Sequence, residues 1–206
     1  MIKVGILGGV GSGKSFVANI FKELGLNIFS ADQVVSQIYE SNKNINRKIS
    51  NFFKLKLYNG KINKNELRNI LKKNPKKFKY LNKIIHPIVR KKLISFLSKY
   101  KKTKLVVLDI PLLIENKMFD FVDIFIFVKT KSNIFKIRIK KRRNLDKQFL
   151  KLLENQQADE KIKKGYADFT VDNSTKDKVK LQVKKIIDKI LLNDWSYFRY
   201  RNYRII

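Results

Sequence analysis

The chain has 206 residues, of which 44% are hydrophobic, so we expect one folded domain with a sizeable buried core. It has no cysteine, which excludes disulfides, thiolate metal sites and cysteine nucleophiles. No apolar run approaches the roughly 20 residues of a membrane helix, and the N-terminus lacks the features of a secretory signal. We therefore predict a cytoplasmic protein with no membrane partner.

Basic residues greatly outnumber acidic ones: 47 Lys and Arg against 17 Asp and Glu, a formal net charge of +30. Such an excess is typical of proteins that bind nucleic acid through phosphate contacts, but it also arises when genome composition favours lysine codons. The lysines are spread over nearly every helix-like segment, whereas a dedicated binding face would concentrate them. We therefore favour the compositional interpretation and expect no specific nucleic-acid partner.

Apolar runs of strand length alternate with segments of helical periodicity. Strands are predicted at 2–8, 26–29, 105–110, 123–129 and 168–172. Helices are predicted at 14–24, 32–40, 45–55, 64–72, 76–99, 133–143, 146–157 and 175–192. Several of the strands are continuously apolar, as parallel strands covered on both faces are, so the pattern predicts an α/β fold around a parallel sheet.

Two long stretches interrupt this alternation. Residues 36–100 hold no convincing strand and are predicted to form a helical insertion after the second strand. Residues 138–164 are predicted to form a shorter and very basic helical insertion. Because there is no repeat and no Pro/Gly/Ser-rich linker, we expect residues 1–206 to form a single domain with these two insertions.

Residues 8–15 read GGVGSGKS, which satisfies the pattern G-x-x-x-x-G-K-[ST], follows a predicted strand and opens a predicted helix. The glycines let backbone N–H groups turn inward toward phosphate oxygens, and the helix adds its positive N-terminal end. Lys14 is expected to reach the β- and γ-phosphates, and Ser15 to ligate Mg²⁺. The motif predicts a nucleotide site, and the lack of an N-K-x-D motif argues against a GTPase.

Charged side chains near the predicted strand ends are candidates for the chemistry. Asp32, just after the second strand, could orient an acceptor hydroxyl and take its proton, or it could be a helix N-cap. Asp109, at the end of a buried strand, could support Mg²⁺ through water, and Pro111 would fix the next turn. Arg138 and Arg142 are one helical turn apart on a basic segment, where a lid arginine is a better interpretation than a solvated helix face.

The single histidine, His86, precedes Pro87 in NKIIHPIVRKK. A lone histidine is more often structural than catalytic, and the His-Pro pair could mark a break between two helices. A contact with substrate is the other interpretation that we keep open.

Together these motifs resemble those of one enzyme family. GILGGVGSGKS, SAD, NGKINKNEL, IIHPIV, DIPLLIE, IRIKKRRNL, the Gln157 region and ADFTVDN follow the order found in dephospho-CoA kinase, from residue 2 to about residue 190. The resemblance implies that ATP, with Mg²⁺, phosphorylates the ribose 3′-hydroxyl of dephospho-CoA, the last step of coenzyme A synthesis. It also implies a P-loop kinase fold of three layers, with sheet order 2-3-1-4-5, a helical substrate-binding insertion and a helical lid. A monomer is favoured.

The resemblance also assigns residues to the two substrates. On the ATP side it implies Gly9, Val10, Gly11, Ser12, Gly13, Lys14, Ser15, Phe16, Arg142 and Asn173, the last of them beside the adenine. On the dephospho-CoA side it implies Asp32, Lys64, His86, Pro87, Pro111 and Leu112. The residues expected to be catalytic are Asp32, Lys14 and Arg142.

The chain departs from the family pattern at a few positions. Ser30 stands where an acid is common, Phe16 where a small hydroxyl residue is usual, and Phe135 where glutamine is common. Lys64 replaces a common arginine, and the lost bidentate geometry predicts weaker binding of dephospho-CoA.

Two rival functions stay open. The first is another small-molecule P-loop kinase that phosphorylates a nucleoside monophosphate or shikimate, although the stretch after the second strand, QVVSQIYESNKN, lacks the arginines of a shikimate pocket. The second is a nucleotide-dependent nucleic-acid-binding protein, which the charge of +30 and the basic, aromatic tail suggest.

Overall fold

The structure is a computed structural model, and it describes residues 1–116, 118–131, 134, 137 and 147–192. Its strands are β1 (Ile2–Leu7), β2 (Asn27–Ser30), β3 (Leu57–Tyr58), β4 (Lys61–Ile62), β5 (Leu105–Asp109), β6 (Ile124–Lys129) and β7 (Phe169–Asp172). Its α-helices are α1 (Lys14–Glu23), α2 (Ala31–Ser41), α3 (Lys43–Phe53), α4 (Lys64–Lys73), α5 (Lys77–Lys99), α6 (Lys147–Glu154), α7 (Glu160–Gly165) and α8 (Lys176–Leu192). In these ranges, no helix has both the length and the apolar character needed to cross a membrane.

Five of the strands form one parallel sheet in the order β2-β5-β1-β6-β7. Counted without β3 and β4, this order is 2-3-1-4-5, so the predicted α/β sheet topology is confirmed. Both faces of the sheet are covered, as is typical of parallel sheets: every residue of β5 is buried, and only the last residue of β6 is exposed. Helices α1 and α8 contribute Val17, Phe21, Val183 and Ile190 to the core under β1, β5 and β6.

The contacts within the chain divide it into two compact units. The described residues of 1–29, 100–145 and 153–206 make up the first unit, which contains the sheet. The second unit consists of 30–99 and the described residues of 146–152. The second unit contains residues 147–152 of α6, where the Phe149 ring stacks on Phe78, with centroids 6.0 Å apart, and the Arg68 guanidinium lies 5.3 Å from the Phe149 centroid.

Most of the second unit is helical, and it also contains a β-hairpin that the sequence analysis did not predict. Strands β3 and β4 pair in antiparallel register, with Leu57 opposite Ile62, around a two-residue turn. Asn59 and Gly60 in that turn have φ of 51° and 75°. Asn-Gly is the strongest short-range signal for such a turn, because both central residues need positive φ.

Helix α5 runs without interruption through Pro87, so the interpretation of His86 and Pro87 as a break between two helices is wrong. Proline in a helix removes one N–H donor and clashes with the carbonyl four residues earlier. The helix persists because Leu81, Ile85, Val89 and Leu93 are buried along one face at helical spacing, and this packing outweighs the lost hydrogen bond.

Candidate active site

The loop between β1 and α1 contains glycines, Gly8 and Gly13 among them, that another residue could not replace without strain. Gly8 has φ of 154°, and a Cβ on it would lie 2.6 Å from the Ser12 Oγ and 2.8 Å from the carbonyl oxygen of Val128. Gly13 has φ of 88° and is the N-cap of α1. The loop therefore turns sharply out of the sheet and directs the N-terminal end of α1 toward the space above β1.

Lys14, the first residue of α1, folds its side chain back over this loop. Its Nζ donates hydrogen bonds of 2.9 Å to the carbonyls of both Gly8 and Gly9. An ammonium group held by the loop itself is a cation placed where the loop can receive an anion.

The carbonyl of Ser12 fixes the far side of the loop. It accepts a hydrogen bond of 2.8 Å from the Thr130 hydroxyl and one of 2.9 Å from the side-chain amide of Asn173. Thr130 directly follows β6, Asn173 directly follows β7, and the Asn173 side chain is fully buried. The carboxyl ends of two neighbouring strands thus hold the phosphate loop in its shape.

The loop opens onto a cleft of about 340 Å³ within the first unit. One wall is the loop and the end of β6, and the other is the segment from Glu154 to Lys163. The lining residues are Gly9, Val10, Ser12, Val128, Thr130, Glu154, Gln157, Ala158, Glu160 and Lys163. The Ser12 hydroxyl at this cleft is buried and has no hydrogen-bond partner among the described residues, which suits a site whose ligand supplies an acceptor.

A buried ion pair supports the second wall of the cleft. Lys163 Nζ lies 3.2 Å from Glu115 Oε1 and donates a hydrogen bond of 2.8 Å to Gln157 Oε1. The same Glu115 oxygen accepts a hydrogen bond of 2.7 Å from the backbone N–H of Ala158. Glu115 lies in the turn after β5, so these contacts tie residues 157–163 to the sheet.

Three of the predicted site residues lie at the end of β5 and in the turn after it. Asp109 ends β5 and is buried, 4% exposed. Pro111 follows it, and Leu112 adopts the left-handed conformation with φ of 57°. The Leu112 carbonyl accepts a hydrogen bond of 2.9 Å from the N–H of Asn116, which closes the turn that leads to Glu115.

In the second unit, Asp32 lies in the first turn of α2 and is exposed. It is not the N-cap of that helix: Ser30 is, with its hydroxyl accepting a hydrogen bond of 3.4 Å from the N–H of Gln33. The alternative interpretation of Asp32 as a cap is therefore wrong. Ser30, where the family often has an acid, has a structural role as the cap.

Lys64, the first residue of α4, contacts α2. Its Nζ donates to the Ser36 hydroxyl at 2.6 Å and lies 3.3 Å from the Glu40 carboxylate. The hydrogen bond from Ser36, and then Lys64, hold the pKa of Glu40 below its usual range. The ion pair is exposed to solvent, so an incoming anion can compete with Glu40 for the Lys64 ammonium.

The remaining predicted residues are placed as follows. His86 is exposed on α5, where partial burial of the ring lowers its pKa and favours the neutral form. Ser15 is exposed on the first turn of α1. The ring of Phe16 packs against the core, and the Lys176 ammonium lies 5.7 Å from its centroid. Arg142 and Phe135 lie outside the described residues.

Comparison with known proteins identifies the family. A family model for dephospho-CoA kinase matches residues 2–178. The chain is 37% identical over 193 residues to the dephospho-CoA kinase of Wolbachia sp. subsp. Brugia malayi, which covers 92% of this chain and 98% of that one. It is 36% identical over 191 residues to that of Bartonella henselae, covering 89% and 97%. The chain belongs to the dephospho-CoA kinase family.

Solved structures agree with this membership. A crystal structure from Thermus thermophilus is similar with a TM-score of 0.78 and 25% identity, covering 93% of this chain and 98% of that one. The dephospho-CoA kinase from Campylobacter jejuni is similar with a TM-score of 0.63 and 26% identity, covering 91% and 96%. The predicted family, the P-loop kinase fold and the class of ATP-dependent kinase are confirmed.

Four residues of this dephospho-CoA kinase family member lie at the cleft or support it but were not singled out for a role in the sequence analysis. Thr130 could have been found, because side chains that directly follow a parallel strand line the ligand-binding edge of an α/β sheet. Glu115 and Gln157 lie in stretches that carry the family resemblance, which gave neither of them a role, and Lys163 had no signal. A single lysine is not distinguishable by sequence among 47 basic residues, and only its burial and its partners identify it.

Proposed function

We propose that this member of the dephospho-CoA kinase family transfers the γ-phosphate of ATP to the ribose 3′-hydroxyl of dephospho-CoA, with the cleft beside the glycine loop as the triphosphate site. Family membership supports the acceptor, and the observation that carries the triphosphate site is the loop geometry: Lys14 folds over the Gly8 and Gly9 carbonyls while Thr130 and Asn173 hold the Ser12 carbonyl. Phosphoryl transfer depends mainly on such positioning and on electrostatic stabilisation.

The phosphate end of ATP is assigned to the loop and to α1. Phosphate oxygens replace the Gly8 and Gly9 carbonyls as acceptors for Lys14, because an anion is the stronger partner for an ammonium group. The unpartnered Ser12 hydroxyl gains an acceptor at the same time. Asn173, which we predicted beside the adenine, acts in this account through the Ser12 carbonyl that it holds, and its contact with the base stays a prediction.

Mg²⁺ fits the residues present at this end of the sheet. Ser15 supplies a hydroxyl oxygen and Asp109 a carboxylate oxygen, both ligand types that Mg²⁺ prefers. Mg²⁺ usually keeps several waters and is held by one or two protein groups together with substrate phosphates. When bound, the ion neutralises charge on the β- and γ-phosphates.

Asp32 is the group that we assign to the acceptor hydroxyl. Its carboxylate is exposed near the start of α2, and Ser30 rather than Asp32 caps the helix. Asp32 follows β2 by two residues, and ligands of open α/β sheets bind at the carboxyl ends of the strands. A carboxylate there orients the hydroxyl and accepts its proton as the bond to phosphorus forms.

The other assignments follow the family pattern and extend this proposal. Lys64, His86, Pro87, Pro111 and Leu112 bind dephospho-CoA, and Arg142 stabilises the transferring phosphoryl group from the lid at 138–164. The only partners are the two small-molecule substrates, and the protein acts as a cytoplasmic monomer without a specific nucleic acid. The charge of +30 then serves only to attract anionic substrates.

The test is Asp32→Asn, which keeps the size of the side chain but removes the base. We expect kcat to fall by at least about 100-fold, as for the loss of a general base, while the Kd for ATP changes less than about twofold. Gln33→Ala, at the exposed neighbouring position on α2, is the matched control and is expected to leave kcat unchanged. A kcat for Asp32→Asn within about threefold of wild type would remove Asp32 from the chemistry.

A further inference from the structure

Lys163 is a buried lysine at a cleft that receives phosphates in the proposed function. It is 4% exposed, whereas lysine is almost never fully buried unless it is paired. Removing an ammonium group from water costs free energy, so a buried lysine needs hydrogen-bond or ion-pair partners for its ammonium group. Its position on the cleft wall opposite the glycine loop therefore calls for an explanation.

The partners of Lys163 account for two of its three N–H donors. One is the Gln157 Oε1, at 2.8 Å, and the other is the Glu115 Oε1, at 3.2 Å. Within the described residues, no third acceptor contacts the ammonium. A donor that the protein does not use, on a buried cation beside a cleft, is available to a ligand with acceptor oxygens.

The order of the charges across this wall favours an anion. Lys163 lines the cleft together with Gly9 and Ser12, whereas Glu115 does not line it. The cation therefore faces the cleft, and its carboxylate partner lies behind it. The two carboxylates that do line the cleft, Glu154 and Glu160, are exposed to solvent, where water screens their repulsion of an anion.

We propose that Lys163 is a second lysine contact for the phosphates of the bound nucleotide, with Glu115 and Gln157 orienting its ammonium group from behind. The proposal rests on the proposed function, which places the triphosphate in this cleft. Lys14 contacts the phosphates from the loop side and Lys163 from the side of residues 157–163. Neutralisation of charge from both sides is what a triphosphate in a partly closed cleft requires.

A purely structural role is the competing explanation. In that case the ion pair only fastens residues 157–163 to the turn after β5, and the cleft side of Lys163 has no ligand. Two substitutions separate the explanations. Lys163→Met removes the cation and keeps the apolar stem. Glu115→Gln removes the negative charge but keeps an oxygen that can still accept from Ala158 and Lys163.

The measurement is calorimetric titration of each full-length variant with ATP and with AMP, without acceptor, together with its melting temperature. If Lys163 contacts the phosphates, Lys163→Met raises the Kd for ATP by about 10- to 100-fold, as for a lost charge-assisted hydrogen bond, and the Kd for AMP by less than about threefold. Glu115→Gln leaves the Kd for ATP unchanged or lowers it, because a negative charge behind the ammonium is gone.

The structural explanation predicts a different pattern. Both variants then raise the Kd values for ATP and AMP by similar factors and in step with the loss of melting temperature, and this result would overturn the proposal. If Lys163→Met does not fold, Glu115→Gln alone decides: a weaker Kd for ATP contradicts the phosphate contact, and an equal or tighter one supports it.

The same titrations separate this proposal from the proposed function. If the wild type binds ATP but does not phosphorylate dephospho-CoA, the assigned reaction fails, and the variants still report on Lys163. If the wild type is active and Lys163→Met binds ATP with the wild-type Kd, only the role of Lys163 fails. If the wild type does not bind ATP at all, both are wrong.

Discussion

The side-chain amide of Asn173 donates a hydrogen bond of 2.9 Å to the main-chain carbonyl of Ser12, a residue 161 positions earlier in the chain. The Thr130 hydroxyl donates to the same carbonyl at 2.8 Å. The two donors come from the turns after β6 and β7, so the conformation of the phosphate loop depends on residues that are distant in sequence. Loop shape and sheet assembly are therefore energetically linked.

This link predicts a non-additive effect of Thr130→Val and Asn173→Ala on the free energy of unfolding. Each single variant leaves the Ser12 carbonyl with one donor, and each should lower stability by about 1–2 kcal/mol. The double variant leaves the carbonyl with neither donor, so its loss should exceed the sum by at least about 0.5 kcal/mol. Urea denaturation of all four proteins measures the coupling, and the cycle cancels the cavity left by Asn173. Losses that add within about 0.3 kcal/mol would contradict the link.

Gly8 is predicted to tolerate no side chain. In Gly8→Ala the new Cβ would lie 2.8 Å from the Val128 carbonyl oxygen, a backbone atom that cannot move aside cheaply. We expect the variant to lose about 1–3 kcal/mol of stability and at least about tenfold in affinity for ATP. Gly165→Ala is the control, because a Cβ there meets nothing within 4 Å; it should leave both quantities unchanged. Equal stability and equal affinity for ATP in the two variants would contradict the prediction and show that the loop can shift to accommodate the new Cβ.

Lys14→Met should abolish most activity without unfolding the protein. The Lys14 ammonium donates hydrogen bonds to the Gly8 and Gly9 carbonyls of the loop, and in the proposed function it contacts the phosphates of ATP. We expect kcat/KM to fall by about 100- to 1,000-fold, as for other lost donors to developing charge. Lys22→Met, exposed at the other end of α1, is the control and should retain wild-type kcat/KM. Equal losses in the two variants would point to a general effect of charge.

Stability should depend on the protonation of His86. Partial burial lowers the pKa of His86, so the folded chain binds its proton less readily than the unfolded chain does. The contribution of neutral His86 to the free energy of unfolding is present above the unfolded pKa of about 6.5. It is lost as the pH falls through the lower pKa of the folded state. Denaturation curves between pH 7.5 and 5.5 should therefore show a smaller decline for His86→Gln than for wild type. An equal decline in stability for wild type and His86→Gln would contradict a lowered pKa of His86 in the folded state.

Much of the fold could be predicted from the sequence because apolar runs and turn residues report local structure. The five core strands and their order follow from continuous apolar segments and from the family motifs, and the structure confirms them. The Asn59–Gly60 hairpin was missed although its signal is local, because β3 and β4 each have only two residues and no apolar run. Pro87 within α5 could not be predicted, since tertiary packing decides whether a helix continues through proline.

The candidate site also has a part that could be predicted from the sequence and a part that could not. The glycine loop is a contiguous motif, so its residues could be identified from the sequence. The donors to the Ser12 carbonyl and the Lys163 ion pair come from segments that only the folded sheet brings together. Asp32 was ambiguous because a carboxylate at the start of a helix can be a cap or a base, and the Ser30 cap excludes only the first of these roles.

The central claim is that this chain phosphorylates the 3′-hydroxyl of dephospho-CoA. The most direct measurement is formation of ADP by the wild type with Mg-ATP and, in turn, dephospho-CoA, shikimate, AMP, CMP or single-stranded RNA, with the phosphorylated position identified by ³¹P NMR. We predict one ADP per coenzyme A formed, and a kcat/KM for dephospho-CoA at least about 100-fold above that for any other acceptor. No ADP formation with dephospho-CoA, together with ADP formation in the presence of another acceptor or of RNA, would contradict the account.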